Sequence, residues 1–156
     1  MYMRMQNINL SPHFELREFT ESATARKYGI VNEPPAEAVE NLKALCVHTL
    51  EPLREALCLP IVITSGYRCR DLNHDVGGSP TSQHLLGLAA DFRPLHATDE
   101  QMDTVRQWFR ENAERLEFDQ MIDYGSFFHV GVRPEGSTNR RQMKRYNAFG
   151  QGYRKD

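Results

Sequence analysis

The stretch Ser82–Phe92, SQHLLGLAADF, constrains this chain more than any other. It sets His84 and Asp91 seven positions apart, with leucines, a glycine and two alanines between them and no long polar side chain. Burying a carboxylate in such surroundings is strongly unfavourable unless a partner compensates it. A divalent metal ion is one such partner. His129 lies in a second apolar run, Phe127–Val132. Two histidines and one carboxylate make a three-ligand set that leaves a fourth position on zinc open to water. A single histidine in an apolar strand is more often packed core than a ligand. The combination carries the metal reading, because neighbouring strands would bring all three side chains together. The same set can also form the facial triad of a non-haem iron oxygenase. The long spacing from His84 to Asp91 and the lack of a cosubstrate motif argue against that alternative.

The remaining totals bound the protein class. At 156 residues, 40% hydrophobic and 26% charged, the chain has the size and balance of one soluble domain with one core. A net charge of -2 speaks against general nucleic-acid binding. No apolar run approaches the ~18 residues of a membrane span. The opening Met1–Asn7 carries one arginine and no apolar h-region, so it does not read as a signal peptide. Cys46, Cys58 and Cys69 are an odd count without CxxC spacing, as expected of reduced thiols in a chain made in the cytoplasm. Cys46 falls on an apolar helix face, and Cys69 lies near the proposed site.

Along the chain, Ser11 and Pro12 predict a helix start, with Phe14 and Phe19 docking a short element. Ser22–Tyr28 predicts another short helix, stopped by Gly29. Val39, Leu42, Leu45, Cys46, Leu50, Leu53 and Leu57 recur at helical spacing from about Ala36 to Leu57, with a kink expected at Pro52 and an end at Pro60. Ile61–Thr64 reads as a buried strand, and Ser65–Arg68 leaves it as a loop. One or two helical turns are expected over Arg70–Val76 and a strand over Leu88–Phe92. Thr98 and Gln101 form a capping box for a helix through about Arg115, with Met102, Val105, Trp108 or Phe109, and Leu116 facing a core. Asp119–Asp123 and Phe127–Val132 then read as an antiparallel hairpin. Beyond Pro134, seven basic residues counted from Arg133 stand against Glu135 and Asp156, as in a solvated tail; the alternative is a basic strip that holds an anionic polymer or partner. The expected architecture is a single α+β domain, residues 1–133, with a mainly antiparallel sheet flanked by helices, followed by a basic tail over 134–156.

Ser82-x-His84-x-x-Gly87-x-Ala89-x-Asp91 resembles the zinc-binding signature of peptidase family M15, the D-Ala-D-Ala carboxypeptidase-like metallopeptidases of the Hedgehog/DD-peptidase fold. Ser65-Gly66-Tyr67-Arg68 and Phe127-Phe128-His129-Val130 are similar to two further segments of that family. Leu10–Phe14 with Glu18-Phe19 resembles the opening of its subgroup A. The resemblance runs from about Leu10 to Val132. It implies one zinc ion held by His84, Asp91 and His129, and peptidoglycan peptides as substrates. On the same basis Arg68 is expected to bind a substrate carboxylate or an oxyanion, rather than to pair structurally with Asp71 or Asp75. Ser82 is expected to bond a ligand or substrate, and Tyr67 to wall the cleft or simply pack beside the strand. No role is assigned to His13, His48, His74 or His96.

The general base departs from the family pattern. Many members carry an acid three residues before the last histidine, where this chain has Ser126. In subgroup A an acid stands six residues before it, within Glu-Phe-Gly; here the segment reads Asp123-Tyr124-Gly125. Asp123 is therefore the expected base, with Asp119 second. The reading is a monomeric zinc metallopeptidase acting on cell-wall peptides, without nucleic-acid partners or a membrane span. The absence of a signal peptide fits a phage- or prophage-derived enzyme that reaches the wall by another route. The alternative is a zinc-stabilised module that binds cell-wall peptide without cutting it.

Overall fold

The amphipathic stripe of the first half forms helices, as its spacing predicts. In the computed structural model, which describes residues 6–146 and the backbone of 153–155, α3 (Ala36–Leu45) runs through a π-helical turn, Cys46–Leu50, into α4 (Glu51–Leu57). Leu42, Leu45, Cys46, Leu50 and Leu53 are fully buried on one side. The irregularity expected at Pro52 takes the form of this widened turn just before it. Proline has no N–H to donate and its ring crowds the carbonyl four residues back, so the preceding turn opens.

The N-terminal expectation needs correction. Instead of a helix from Ser11, a small hairpin pairs β1 (Asn9–Ser11) with β2 (Phe14–Glu15). Glu51 of α4 decides this: it accepts from Ser11 Oγ at 2.7 Å and from the His13 backbone N–H at 2.6 Å, and lies 2.8 Å from His13 Nδ1. The helix begins later, as α1 (Leu16–Thr20), with Glu15 and Glu18 in a capping box. Next, α2 (Ala23–Tyr28) starts at the Ser22 cap, as expected.

Six strands make the main sheet, in the order β3 (Ile61–Ser65), β4 (Ala89–Pro94), β6 (Phe128–Gly131), β5 (Gln120–Asp123), β7 (Gln142–Tyr146) and β8 (Tyr153–Lys155). All pairs are antiparallel except β5 with β7. The short α5 (Arg70–Asp75) follows β3, and α6 (Asp99–Asn112), started by the Thr98–Gln101 box, packs on the sheet through Met102, Val105 and Phe109. The fold is thus a small α+β domain, and among the described residues no helix is long and apolar enough to cross a membrane. The solvated tail expected beyond Pro134 is another correction: Gln142–Tyr146 is a strand of the sheet, where Met143 packs against the core and Arg145 pairs with Asp123. Residues 147–152 and 156 of that segment, like Met1–Met5, lie outside the described residues.

Strand alternation gives the sheet two unlike faces. Phe92, Phe128 and Asp123 stand opposite one another in register on the face that packs against α6. There Phe92 stacks on Phe128 at 5.6 Å between centroids, and Phe109 lies edge-on to Phe118. One residue out of step, Asp91, His129 and Ile122 form a row on the other face.

Candidate metal centre

That second row carries the site. Asp91 of β4 and His129 of β6 are direct cross-strand partners, and His129 Nδ1 lies 2.8 Å from Asp91 Oδ1. His84 reaches the same oxygen from a short 3-10 turn, Gln83–Leu86, with Nε2 at 3.2 Å. Ser82 caps this turn by accepting the His84 N–H, and Gly87 ends it with φ of 70°. A side chain at 87 would be strained in that conformation, and its Cβ would sit 2.5 Å from the Ala38 carbonyl oxygen. The three ligand atoms lie within 4.8 Å of one another.

The donor chemistry fits a cation. The Gly66 carbonyl, 2.6 Å from His84 Nδ1, can only accept, so Nδ1 carries the proton and Nε2 presents its lone pair to Asp91. Burial pushes the His84 pKa down and so favours the neutral ring. A lone pair facing a carboxylate oxygen in a buried place is repulsive unless a cation lies between them. Burial raises the Asp91 pKa, but the surroundings, a hydrogen bond from His129 first among them, hold the carboxyl well below the usual range. His84, Asp91 and His129 are therefore the residues able to hold a divalent metal ion.

Arg68 stands beside them. Its side chain is 14% exposed and its Nη2 lies 3.6 Å from Asp91 Oδ2. Nε donates to Ser65 Oγ at 3.1 Å and Nη1 to Asn73 Oδ1 at 3.1 Å. Asn73, itself buried, is fixed by donating to the Ser79 carbonyl. The structural pairing of Arg68 with Asp71 or Asp75 weighed from sequence is not the arrangement found. Burial lowers the Arg68 pKa, against the raising effect of Asp91 and Tyr124. Arg68, Ser82, Tyr124 and the three ligands line a cleft of about 660 Å³, which continues past Gln120 to Arg133 and Arg140. Ser82 thus lies at the cleft while also capping the ligand turn. Tyr67 is buried in the hydrophobic core, its carbonyl held by Asn32, and its ring lines the adjoining grooves instead.

Asp123 does not join the site. It is 1% exposed on the opposite face of the sheet, where Arg106 Nε lies 2.5 Å away and the Gly125 N–H donates to it. Burial raises its pKa, but the hydrogen bonds from Arg106 and the Gly125 N–H, with the nearby charges of Arg106 and Arg145, together outweigh it and lower the pKa. The cause is register: Asp123 is one residue out of phase with Ile122, which shares the His129 face. Asp119 does lie at the cleft, but its carboxylate is engaged by Arg133 and Arg140. Sequence reading also missed Asn73 and Arg106, and took Arg140 only as part of a basic strip. Arg106 left a local trace, as a charge within the otherwise core-facing half of α6; Arg140 finds Asp119 across twenty-one positions.

Comparison with curated proteins gives no match. The Peptidase M15 family model matches residues 12–131, which include the three candidate ligands and Arg68. The chain belongs to the peptidase M15 family, a family of metallopeptidases.

Proposed function

We propose that the chain is a zinc-dependent peptidase that cleaves cell-wall peptides at the wall, in the manner of a D-Ala-D-Ala carboxypeptidase or a murein endopeptidase. The observation that carries this reading is the meeting of His84, Asp91 and His129 beside the braced guanidinium of Arg68. One zinc ion, when bound, supplies an acidified water and polarises a carbonyl. The Gly66 carbonyl keeps the His84 tautomer that offers Nε2 as a ligand. Ser65 and Asn73 orient the Arg68 fork so that it can take a substrate carboxylate in a bidentate way. A terminal carboxylate seated there brings the last peptide bond beside the ligands, which favours the carboxypeptidase mode. Tyr124, stacked on Phe127 at 4.6 Å, offers its phenol along the same cleft.

The proton acceptor is the open element, and it favours a second reading. Among the described residues lining the cleft, the carboxylates are Asp91, facing the histidines, and Asp119, held by two arginines. A zinc-held module that binds cell-wall peptide without cutting it fits that pattern. Elemental analysis of the purified protein, joined to release of new amino groups from purified peptidoglycan with and without chelator, separates the two. About one zinc per chain with chelator-sensitive release supports the peptidase. Zinc without release on several wall types supports the binding module. Neither zinc nor release, even after reconstitution, removes both.

A further inference from the structure

Across the metal ligands from Arg68, the cleft ends in a group of cations that the peptidase reading does not use. Asp119 is 1% exposed and holds two guanidinium groups. Arg140 grips it with Nε at 3.0 Å, Nη2 at 2.8 Å and its backbone N–H at 2.9 Å. Arg133 approaches through Nε at 3.1 Å. Both arginine side chains are 40% exposed. One carboxylate cannot neutralise two guanidiniums, so the pair keeps an excess positive charge. Gln120, with its amide oxygen turned toward the donors, accepts from Arg140 Nη2 and Lys144 Nζ, both at 3.1 Å. Asp119 therefore acts as an anchor that presents like charges to the cleft, an arrangement that an incoming anion relieves.

We propose that Arg133 and Arg140 form a second carboxylate-binding subsite, selecting peptides that carry a free acidic group upstream of the bond to be cut. Strand order sets the spacing. Arg68 leaves β3, the ligands ride on β4 and β6, and Asp119 leads into β5. From β3 to β5 is three strand intervals, about 14 Å at ~4.8 Å each. Extended chain covers that in about four residues. The preferred ligand is thus a short peptide with a free C-terminus on Arg68 and an acidic group about three or four residues before it. This deepens the peptidase reading and rests on its assignment of the C-terminus to Arg68.

The test compares two D-configured pentapeptides with free C-termini that differ only in one upstream residue, glutamate or glutamine. Calorimetry measures their binding to the full chain, with zinc and without it. The acid peptide should bind roughly ten- to a hundredfold more tightly, as expected for a hydrogen bond to a charged group. Arg133→Gln should abolish that preference while Arg140 keeps Asp119 satisfied; Arg68→Gln should weaken both peptides alike. Equal binding of the two peptides by the unmodified protein overturns the proposal, and so does a preference that survives in a folded Arg133→Gln protein. If Arg133→Gln does not fold, the pair of peptides on the unmodified protein still decides. Failure of the peptidase reading looks different: the preference persists, but neither peptide is cut and Arg68→Gln changes nothing.

Discussion

Arg106 and Asp123 form a buried ion pair on the face of the sheet turned away from the candidate metal ligands, with Arg106 also bonded to Asp103. The aspartate therefore acts in folding. Asp123→Asn should lower stability by about 2–3 kcal/mol, because it leaves a mostly buried guanidinium with only the exposed Asp103 as counter-charge. Zinc content and any hydrolysis measured below the unfolding midpoint should be retained; loss of catalysis at full stability would return Asp123 to the mechanism. The pH dependence has a definite sign. The folded-state pKa is depressed, so the contribution is complete above the unfolded value of about 4 and disappears as pH falls through the folded value. Urea titrations at a series of pH values should show Asp123→Asn flattening the acid limb of the stability curve.

Metal should act as a folding ligand. Free zinc at a hundred times its dissociation constant should stabilise the protein by about 2.7 kcal/mol. Asp91→Asn should lose this shift, because the amide offers the ion a neutral and weaker oxygen donor. Thermal melts with zinc and with chelator check it; an equal zinc effect on both proteins would move the metal elsewhere.

Arg68→Lys keeps the charge but not the fork. The bonds to Ser65 and Asn73 disappear with it, and peptides with a free C-terminus should bind roughly tenfold or more weakly. Amide-capped peptides should be indifferent to the change, and zinc content should not move. An equal loss for both peptide forms would assign Arg68 a purely structural part.

Gly78 leaves room for the same guanidinium. A Cβ at that position would overlap Asn73 Oδ1 and come within 2.7 Å of Arg68 Nη1. Gly78→Ala should therefore raise KM more than it lowers kcat, by displacing Arg68 from its brace. Steady-state kinetics on a free-acid substrate test this, and an unchanged KM would show that the loop absorbs the methyl group.

Removing residues 135–156 strips β7 from β5 and Arg140 from Asp119. Baring the β5 edge and losing the packing of Met143 against the core should lower stability, seen as a lower urea midpoint. A shortened chain as stable as the full one would restore the view of this segment as a dispensable tail.

The legible parts of this fold were those written in local pattern. The stripe from Val39 to Leu53, the Thr98–Gln101 box, and the hairpin of β5 and β6 follow from spacing and caps. The candidate ligands could be singled out because a histidine and an aspartate in apolar runs need partners, and β4 and β6 place two of them side by side. What escaped depended on distant partners. Glu51 diverts Ser11 and His13 from a helix. Met143 and Arg145, spaced two apart, betray a strand only when β5 is there to pair with it. Asp123 was misassigned because position relative to His129 along the chain does not state which face of the sheet a residue takes; that is decided by register.

The parallel pairing of β7 with β5 also divides the cleft along the chain. Every candidate metal ligand precedes residue 130, on β4, β6 and the His84 turn. Arg140 and β7 come later in the chain and cover the β5 edge. The two ends of the cleft thus rest on separate stretches of sequence: the Arg68 end shares the segment that carries the candidate metal centre, and the Arg140 end belongs to the segment that follows it.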